Sequence, residues 1–209
     1  MSHFLLIGDA HIPRRARQVS PHIIEKITQL SSKELFEYTF FTGDLVKAPE
    51  FLQFLNIRTK NDVFTVIGNM DYYESNKDSP IYQKLQYPFN NDISLTLGLT
   101  HGHQISPRGD HSQLEQMAIE REYNILISGH THKEEIFLTS KGILLLNPGS
   151  VTGAWSFVAS GIPSFITLVM KRENQMIEST LYHYDIRSEK FDESKSFFYY
   201  KNKRIYSRI

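Results

Sequence analysis

Short apolar runs alternate with helix-forming segments along the first part of the chain. Residues 4–7 (Phe-Leu-Leu-Ile) form a continuous apolar run, which is typical of a strand buried on both faces. Ser20 is a favourable helix N-cap, Pro21 suits a first helical turn, and the apolar residues that follow recur at helical spacing. Similar patterns predict strands at 38–42, 63–67, 93–100 and 124–128 and helices at 50–56 and 112–123.

The second part of the chain has the pattern of antiparallel hairpins. One hairpin is predicted from 135–138 and 143–146, around Lys141-Gly142, and another from 164–170 and 176–184. The polar stretch 71–92 is predicted to be a loop with one helical turn, and 188–209 an edge strand or a partly mobile tail. Strand–helix alternation followed by hairpins favours an α/β fold with two packed sheets and outer helices, here as a single domain spanning 1–209.

Composition limits the classes of function. With 40% hydrophobic residues the chain can bury a full core, and its balance of 23 basic and 23 acidic residues gives no bulk attraction to nucleic acid or anionic membranes. The absence of Cys excludes disulfides, thiolate zinc ligands and Cys nucleophiles. The first apolar run is too short for a signal peptide, and no run approaches a membrane span. We therefore expect a cytoplasmic protein that does not insert into membranes.

Seven polar residues occur in five short islands, each of which follows a predicted strand. The islands are GDAHIP (8–13), GDL (43–45), GNMD (68–71), HGH (101–103) and SGHTHK (128–133). Because side chains two apart in an extended chain point the same way, the two ligand-type residues of the first island can meet one metal, and so can those of the last. The candidate metal ligands are Asp9, His11, Asp44, Asn69, His101, His130 and His132.

This ligand set predicts a site for two divalent metal ions. Nitrogen and oxygen ligands without sulfur suit Mn, Zn, Fe, Co or Ni, and the sequence does not choose among them. Asp44 has two carboxylate oxygens with which to bridge two ions. Two such ions, about 3.5–4 Å apart, can lower the pKa of a shared water and clamp a phosphate. The hypothesis is hydrolysis of phosphate esters by a metal-bridging hydroxide, although any single island also has a structural interpretation as a capping Asp or a structural His.

The islands resemble the motifs of the calcineurin-like metallophosphoesterase superfamily, over roughly residues 3–185. The resemblance implies a four-layer α/β sandwich in which helices flank two mixed β-sheets, in agreement with the strand pattern. It also implies a distribution of the ligands between two metals. One metal would be held by Asp9, His11, Asp44 and His132, and the other by Asp44, Asn69, His101 and His130.

Other segments are similar to one branch of that superfamily. HGHQISPRGD (101–110), LNPGSVTGA (146–154) and LYHYD (181–185) resemble the retromer-subunit family, vacuolar protein sorting-associated protein 29, and the small bacterial and archaeal phosphodiesterases are further relatives. This resemblance implies a helical-solenoid partner and a peripheral position on endosomal membranes. Retromer subunits commonly have altered ligands and weak catalysis, whereas Asp44 and Asn69 keep the catalytic identities. Two hypotheses therefore remain: a metal-dependent phosphodiesterase or phosphatase, and a non-catalytic scaffold for protein interactions.

Three further residues are candidates for roles near the metals. Many phosphoesterases have a proton-donating His after the Asn ligand, but this chain has Met70. His103 is a candidate substitute acid, and local hydrogen bonding is the alternative. Arg108 either binds a substrate phosphate or is an ordinary exposed Arg. Asn147 either supports a metal ligand through a hydrogen bond or only shapes a turn.

The remaining candidates concern partners. The resemblance assigns a partner-contact role to the loop that holds Ile105. Tyr182 and Tyr184 share one face of a predicted strand and are either a peptide-binding surface or packed in the core or at an edge. Basic residues of the tail, such as Lys195 and Lys201, are mixed with acidic ones, which favours a solvated edge over nucleic-acid binding.

Overall fold

The computed structural model describes residues 1–73, 78–89 and 93–207, which form two β-sheets with helices on their outer faces. The helices are α1 (Pro21–Leu30), α2 (Pro49–Ile57), α3 (Asn69–Tyr73) and α4 (His111–Glu120), with a 3-10 turn at Arg172–Asn174. The strands are β1 (Ser2–Ile7), β2 (Tyr38–Phe41), β3 (Val63–Thr65), β4 (Tyr82–Pro88), β5 (Ser94–Thr100), β6 (Ile125–Ile127), β7 (Glu135–Leu138), β8 (Leu144–Asn147), β9 (Ser164–Lys171), β10 (Met176–Asp185), β11 (Lys190–Lys201) and β12 (Arg204–Ser207).

The strand order gathers the sequence islands at one edge of the sandwich. One sheet has the order β12-β11-β10-β9-β1-β2-β3 and the other the order β4-β5-β6-β8-β7. The strands β1, β2 and β3 are parallel to one another, as are β5, β6 and β8, and the outer strands are antiparallel. Each island follows one of these parallel strands, so the islands leave the sheets at their carboxyl ends, where α/β folds commonly place ligand sites.

The first strand shows why the sequence produces four layers. Phe4 and Leu6 face the core between the two sheets, where they pack with residues of β5, β6 and β8. Leu5 and Ile7 face the other way and pack with residues of α1 and α2. Helix α4 covers the outer face of the second sheet through Leu114 and Ala118. The predicted two-sheet sandwich with outer helices is therefore confirmed.

The prediction for 71–92 is wrong in part. Residues 82–88 form the edge strand β4, which pairs with β5 along its length. The strand was difficult to recognise because most of its side chains are only partly buried, as is usual at an edge, and Pro88 can be accommodated there. Tyr87 is its buried anchor, and its hydroxyl donates to Ser2 Oγ (2.6 Å). The parts of this prediction that fall on 74–77 and 90–92 lie outside the described residues.

The C-terminal segment forms two strands at the far edge of the larger sheet. Strand β11 pairs with β10 from Lys190 to Tyr199, and β12 returns along the end of β11. Arg208 and Ile209 lie outside the described residues. Among the helices of the described ranges, none has the length and apolar character needed to cross a membrane.

Candidate metal centre

The local backbone differs from the extended geometry on which the sequence argument relied. Asp9, His11, Asp44, His130 and His132 all have positive φ, between 50° and 68°, a left-handed conformation that non-glycine residues rarely adopt. The turns are held by backbone hydrogen bonds, such as Asp9 N to Gly43 O (3.0 Å) and His11 N to Asp44 O (2.9 Å). Such conformations persist where the surrounding structure determines them, and they are concentrated at functional sites.

Four of the predicted ligands form a compact buried cluster. One ligand atom from each of Asp9, His11, Asp44 and His132 lies within 4.8 Å of all the others. His11 Nε2 is 3.0 Å from His132 Nε2 and 3.3 Å from Asp44 Oδ2, and His132 Nε2 is 3.3 Å from Asp9 Oδ1. Ligands that bind one cation with bonds of about 2.1 Å are separated by about 3.0–3.4 Å in octahedral or tetrahedral geometry. These spacings therefore fit a shared divalent cation.

Unpartnered atoms in the cluster also fit a cation. Asp9 Oδ2 accepts from His130 N (3.1 Å) and Thr42 Oγ1 (3.3 Å), but the buried Oδ1 has no hydrogen-bond partner. Burial opposes ionisation of Asp9, yet the neighbouring imidazoles of His11 and His132 hold the pKa of Asp9 below its ordinary value. The cluster therefore presents an ionised oxygen that a bound cation would satisfy.

Two imidazoles are fixed in the tautomer that a metal requires. A carbonyl oxygen can only accept, so His132 Nδ1 donates to Ala154 O (2.8 Å) and His101 Nδ1 donates to Thr42 O (2.8 Å). In the neutral ring, each Nε2 is then left as a lone pair that faces the cluster. The sequence argument did not identify Thr42 or Ala154, because a backbone carbonyl has no residue-type signature.

Asp44 lies between this cluster and the other three predicted ligands. Its Oδ2 is 3.3 Å from His11 Nε2 and 3.5 Å from His101 Nε2, whereas Oδ1 accepts from Met70 N (2.8 Å). The sequence argument relied on two free oxygens at Asp44, whereas here one oxygen faces both groups and the other accepts from the backbone. Asn69 Oδ1 is 3.2 Å from His101 Nε2.

His130 completes this second group of side chains. Its ring lies edge-on to that of His101, with a centroid separation of 5.1 Å. Burial, followed by the charges of His101 and Arg108, lowers the pKa of His130 to about 3. The neutral imidazole that results is the form that binds metals.

Asp71 is a further residue beside the site to which the sequence argument gave no role, although it belongs to the GNMD island. Its buried carboxylate accepts from the backbone N–H groups of Asp44 (2.7 Å), Val46 (2.8 Å) and Gly68 (3.1 Å). Burial raises the pKa of Asp71, partly offset by these hydrogen bonds. Asp71 thus positions the strained turn that presents Asp44. The signal available in the sequence was a carboxylate only two residues after the predicted ligand Asn69.

The other candidates lie beside the two groups of predicted ligands. His103 is exposed, with its ring centroid 5.6 Å from that of His101 and 6.3 Å from that of His130, and burial followed by the charge of His101 lowers its pKa. Arg108 is exposed and lines a cleft of about 240 Å³ together with Asn147. Asn147 Nδ2 donates to Gly129 O (3.0 Å) and to a Thr131 hydroxyl (2.9 Å), so it holds the loop that carries His130 and His132.

The three side chains proposed as a partner surface are buried. Ile105 is 6% exposed and packs with Leu114 of α4. Tyr182 is 5% exposed and stacks on Phe165 with centroids 4.6 Å apart, and Tyr184 is 3% exposed. The surface role is corrected: these side chains supply core packing because their strand and loop lie beneath other elements of the sandwich.

With the fold and the cluster described, comparison with known proteins identifies the class. The chain belongs to the calcineurin-like phosphoesterase superfamily, whose domain matches residues 2–172. Among curated proteins, a probable metallophosphoesterase of Methanothermobacter thermautotrophicus is 33% identical over 147 residues, which cover 70% of this chain and 76% of that protein.

Solved structures narrow the similarity to vacuolar protein sorting 29. The protein of that name from Cryptosporidium parvum superposes with a TM-score of 0.75 at 31% identity, covering 95% of this chain and 98% of that one. Wild-type Vps29 from Entamoeba histolytica, complexed with Zn²⁺, gives a TM-score of 0.76 at 27% identity and covers 92% of this chain and 98% of that one. The predicted superfamily and its resemblance to this branch are confirmed.

Proposed function

We propose that the protein is a dinuclear metal-dependent phosphoesterase that hydrolyses phosphodiesters. The observation that supports this proposal best is Asp44 Oδ2, a single carboxylate oxygen within 3.5 Å of imidazoles from both groups of ligands. One ion would be held by Asp9, His11, Asp44 and His132, and a second by Asp44, Asn69, His101 and His130. The Zn²⁺ complex of the similar Entamoeba protein supports metal binding by this fold.

The residues present fit this chemistry. Two bound divalent cations supply an acidified water as nucleophile and neutralise the charge of a phosphate. The chain itself lowers the pKa of Asp9, fixes the two imidazole tautomers, and leaves Asp9 Oδ1 without a hydrogen-bond partner. His103 is exposed beside His101 and His130, and we assign its protonated form the role of proton donor to the leaving group.

The proposal is tested by metal analysis combined with a Mn²⁺-dependent assay on bis-p-nitrophenyl phosphate. Asp44→Asn keeps the shape of the side chain but removes its charge, and we expect its activity to fall at least about 100-fold, with loss of bound metal. Asp110→Asn is the matched control, because Asp110 caps α4 by accepting from Gln113 N and Asn caps equally well. Wild-type protein that binds metal but hydrolyses nothing, or Asp44→Asn with full activity, would contradict the proposal.

The second candidate is a scaffold of a retromer-type complex that acts at endosomal membranes through a helical-solenoid partner. It is favoured by the similarity to Vps29 structures over nearly the whole chain. The two functions predict different results in the same assay. Metal bound by the wild type, with no turnover in either the wild type or Asp44→Asn, favours the scaffold, and turnover lost only in the variant favours the enzyme.

A further inference from the structure

A strip of exposed aromatic and basic side chains lies beside the metal cluster. Trp155 is 63% exposed and Phe157 is 80% exposed, and their ring centroids are 5.0 Å apart at an interplanar angle of 62°. Arg15 Nη1 donates to Trp155 O (2.6 Å), and the guanidinium of Arg108 lies 5.8 Å from the Phe157 centroid. We call these four residues the aromatic–arginine rim.

Hydrogen bonds tie the rim to the loops that carry the ligands. Arg15 N donates to His11 O (2.8 Å). Ala154, which precedes Trp155, accepts from His132 Nδ1 (2.8 Å). These bonds fix the backbone at Arg15 and beside Trp155 relative to the cluster, although the side chains of the rim extend into solvent.

The chemistry of the rim is suited to a ligand that is both flat and anionic. Exposed aromatic rings provide a stacking surface for a nucleobase, and a guanidinium binds a phosphate through paired N–H donors. Among the residues that line the cleft with Arg108, the acidic one is Glu135, and it is paired with His111 Nε2 (2.8 Å). A hydrophobic protein partner would use the aromatic rings, but it would leave the two flanking cations without a counterpart.

We propose that the rim binds the nucleoside and the non-scissile phosphate of a nucleotide diester whose scissile phosphate lies at the metal cluster. The base stacks on Trp155 and Phe157, and Arg15 and Arg108 pair with the second phosphate. The inference has two halves. The catalytic half, hydrolysis of the scissile phosphate at the cluster, rests on the proposed function. The recognition half, nucleotide binding at the rim, does not.

The recognition half is tested without metal or turnover. Trp155 is the only tryptophan of the chain, so its fluorescence reports directly on the rim. In the presence of EDTA, we expect saturable quenching by ADP, little quenching by ribose 5-phosphate, and a Kd for ADP that rises about fivefold or more in Arg108→Gln. Absence of saturable quenching by ADP, or an unchanged Kd in both Arg108→Gln and Arg15→Gln, would overturn the proposal.

The catalytic half is tested with two substrates that share a leaving group. On the Mn²⁺-loaded protein, Phe157→Ala should raise KM for thymidine 5′-(p-nitrophenyl phosphate) about fivefold or more, with little change in kcat and no change for ethyl p-nitrophenyl phosphate. Tyr206→Ala, an exposed aromatic on the edge strand β12, is the matched control and should change neither. An equal loss on both substrates would refute base recognition. If the wild type hydrolyses neither, the proposed function fails, and the fluorescence titration still decides whether the rim binds nucleotides.

Discussion

Replacing Asp71 with Asn tests whether this carboxylate maintains the turn that presents Asp44. Asn has one carbonyl oxygen, so at least one of the three backbone N–H donors that now reach Asp71 would face an amide N–H instead. Losing a hydrogen bond to a charged group costs about 1.5–3 kcal/mol. Part of this loss is offset because a neutral amide avoids the burial penalty that raises the pKa of Asp71. We expect the free energy of unfolding to fall by about 2 kcal/mol.

The assay is urea unfolding in EDTA, followed by a Mn²⁺ titration of the folded variant. Because Asp71 acts on Asp44 through the backbone, we expect metal affinity to fall about 10- to 100-fold. Asp110→Asn makes the same chemical change at a position with one exposed bond to Gln113 N, and it should stay within about 0.5 kcal/mol of the wild type. Asp71→Asn with the stability and the metal affinity of the wild type would refute the positioning role.

Three further predictions follow from the cluster. Mn²⁺ at about 100 times its Kd should stabilise the folded state by about 2.7 kcal/mol. In a calorimetric scan this should raise Tm by about 5–10 °C. An equal rise in Tm for Asp44→Asn would show that the ion binds elsewhere. His103→Ala should slow hydrolysis of an alkyl phosphodiester about 100-fold but affect p-nitrophenyl esters little, because only the alkoxide needs a proton; full turnover of the alkyl ester would exclude the acid role. Gly68→Ala should abolish metal binding, measured by calorimetric titration, since a Cβ there would overlap the Asp44 carboxylate. Gly161→Ala should retain it, because its Cβ would meet no atom within 4 Å and its only cost is a left-handed φ of 75°.

The fold was predictable wherever the apolar residues of a strand are sufficient to identify it without its neighbours. β1 is continuously apolar because both of its faces are buried, one against the second sheet and one against helices. The hairpins around Gly142 and in the segment 164–184 were equally clear. β4 was missed because an edge strand is stabilised by pairing with β5, and its half-exposed side chains do not need to be apolar.

The ligands of the candidate site were predictable by residue type, but their geometry was not. Carboxylates and imidazoles after successive strands identify the cluster, because parallel strands place their carboxyl ends together. The sequence did not indicate that Asp9 and His11 have positive φ, since that conformation is imposed by hydrogen bonds to Gly43 and Asp44, distant in the chain. Nor did it indicate that one oxygen of Asp44 faces both groups of ligands, because the other is occupied by Met70 N.

The energetics of the cluster bear on the choice between enzyme and scaffold. A surface that serves only for protein contacts has no need for a buried, ionised Asp9 with an unpartnered oxygen, or for ligands in strained left-handed turns. Each of these features destabilises the metal-free protein, and a cation that binds all four side chains of the first group offsets them together. His11 and His132 face each other through Nε2 at 3.0 Å, and because His132 Nδ1 donates to a carbonyl, either a proton or a cation must lie between them. The first group of ligands therefore fits a bound cation. We expect a scaffold role to use the metal-bound domain, so that removing the metal would weaken the partner contact along with any catalysis.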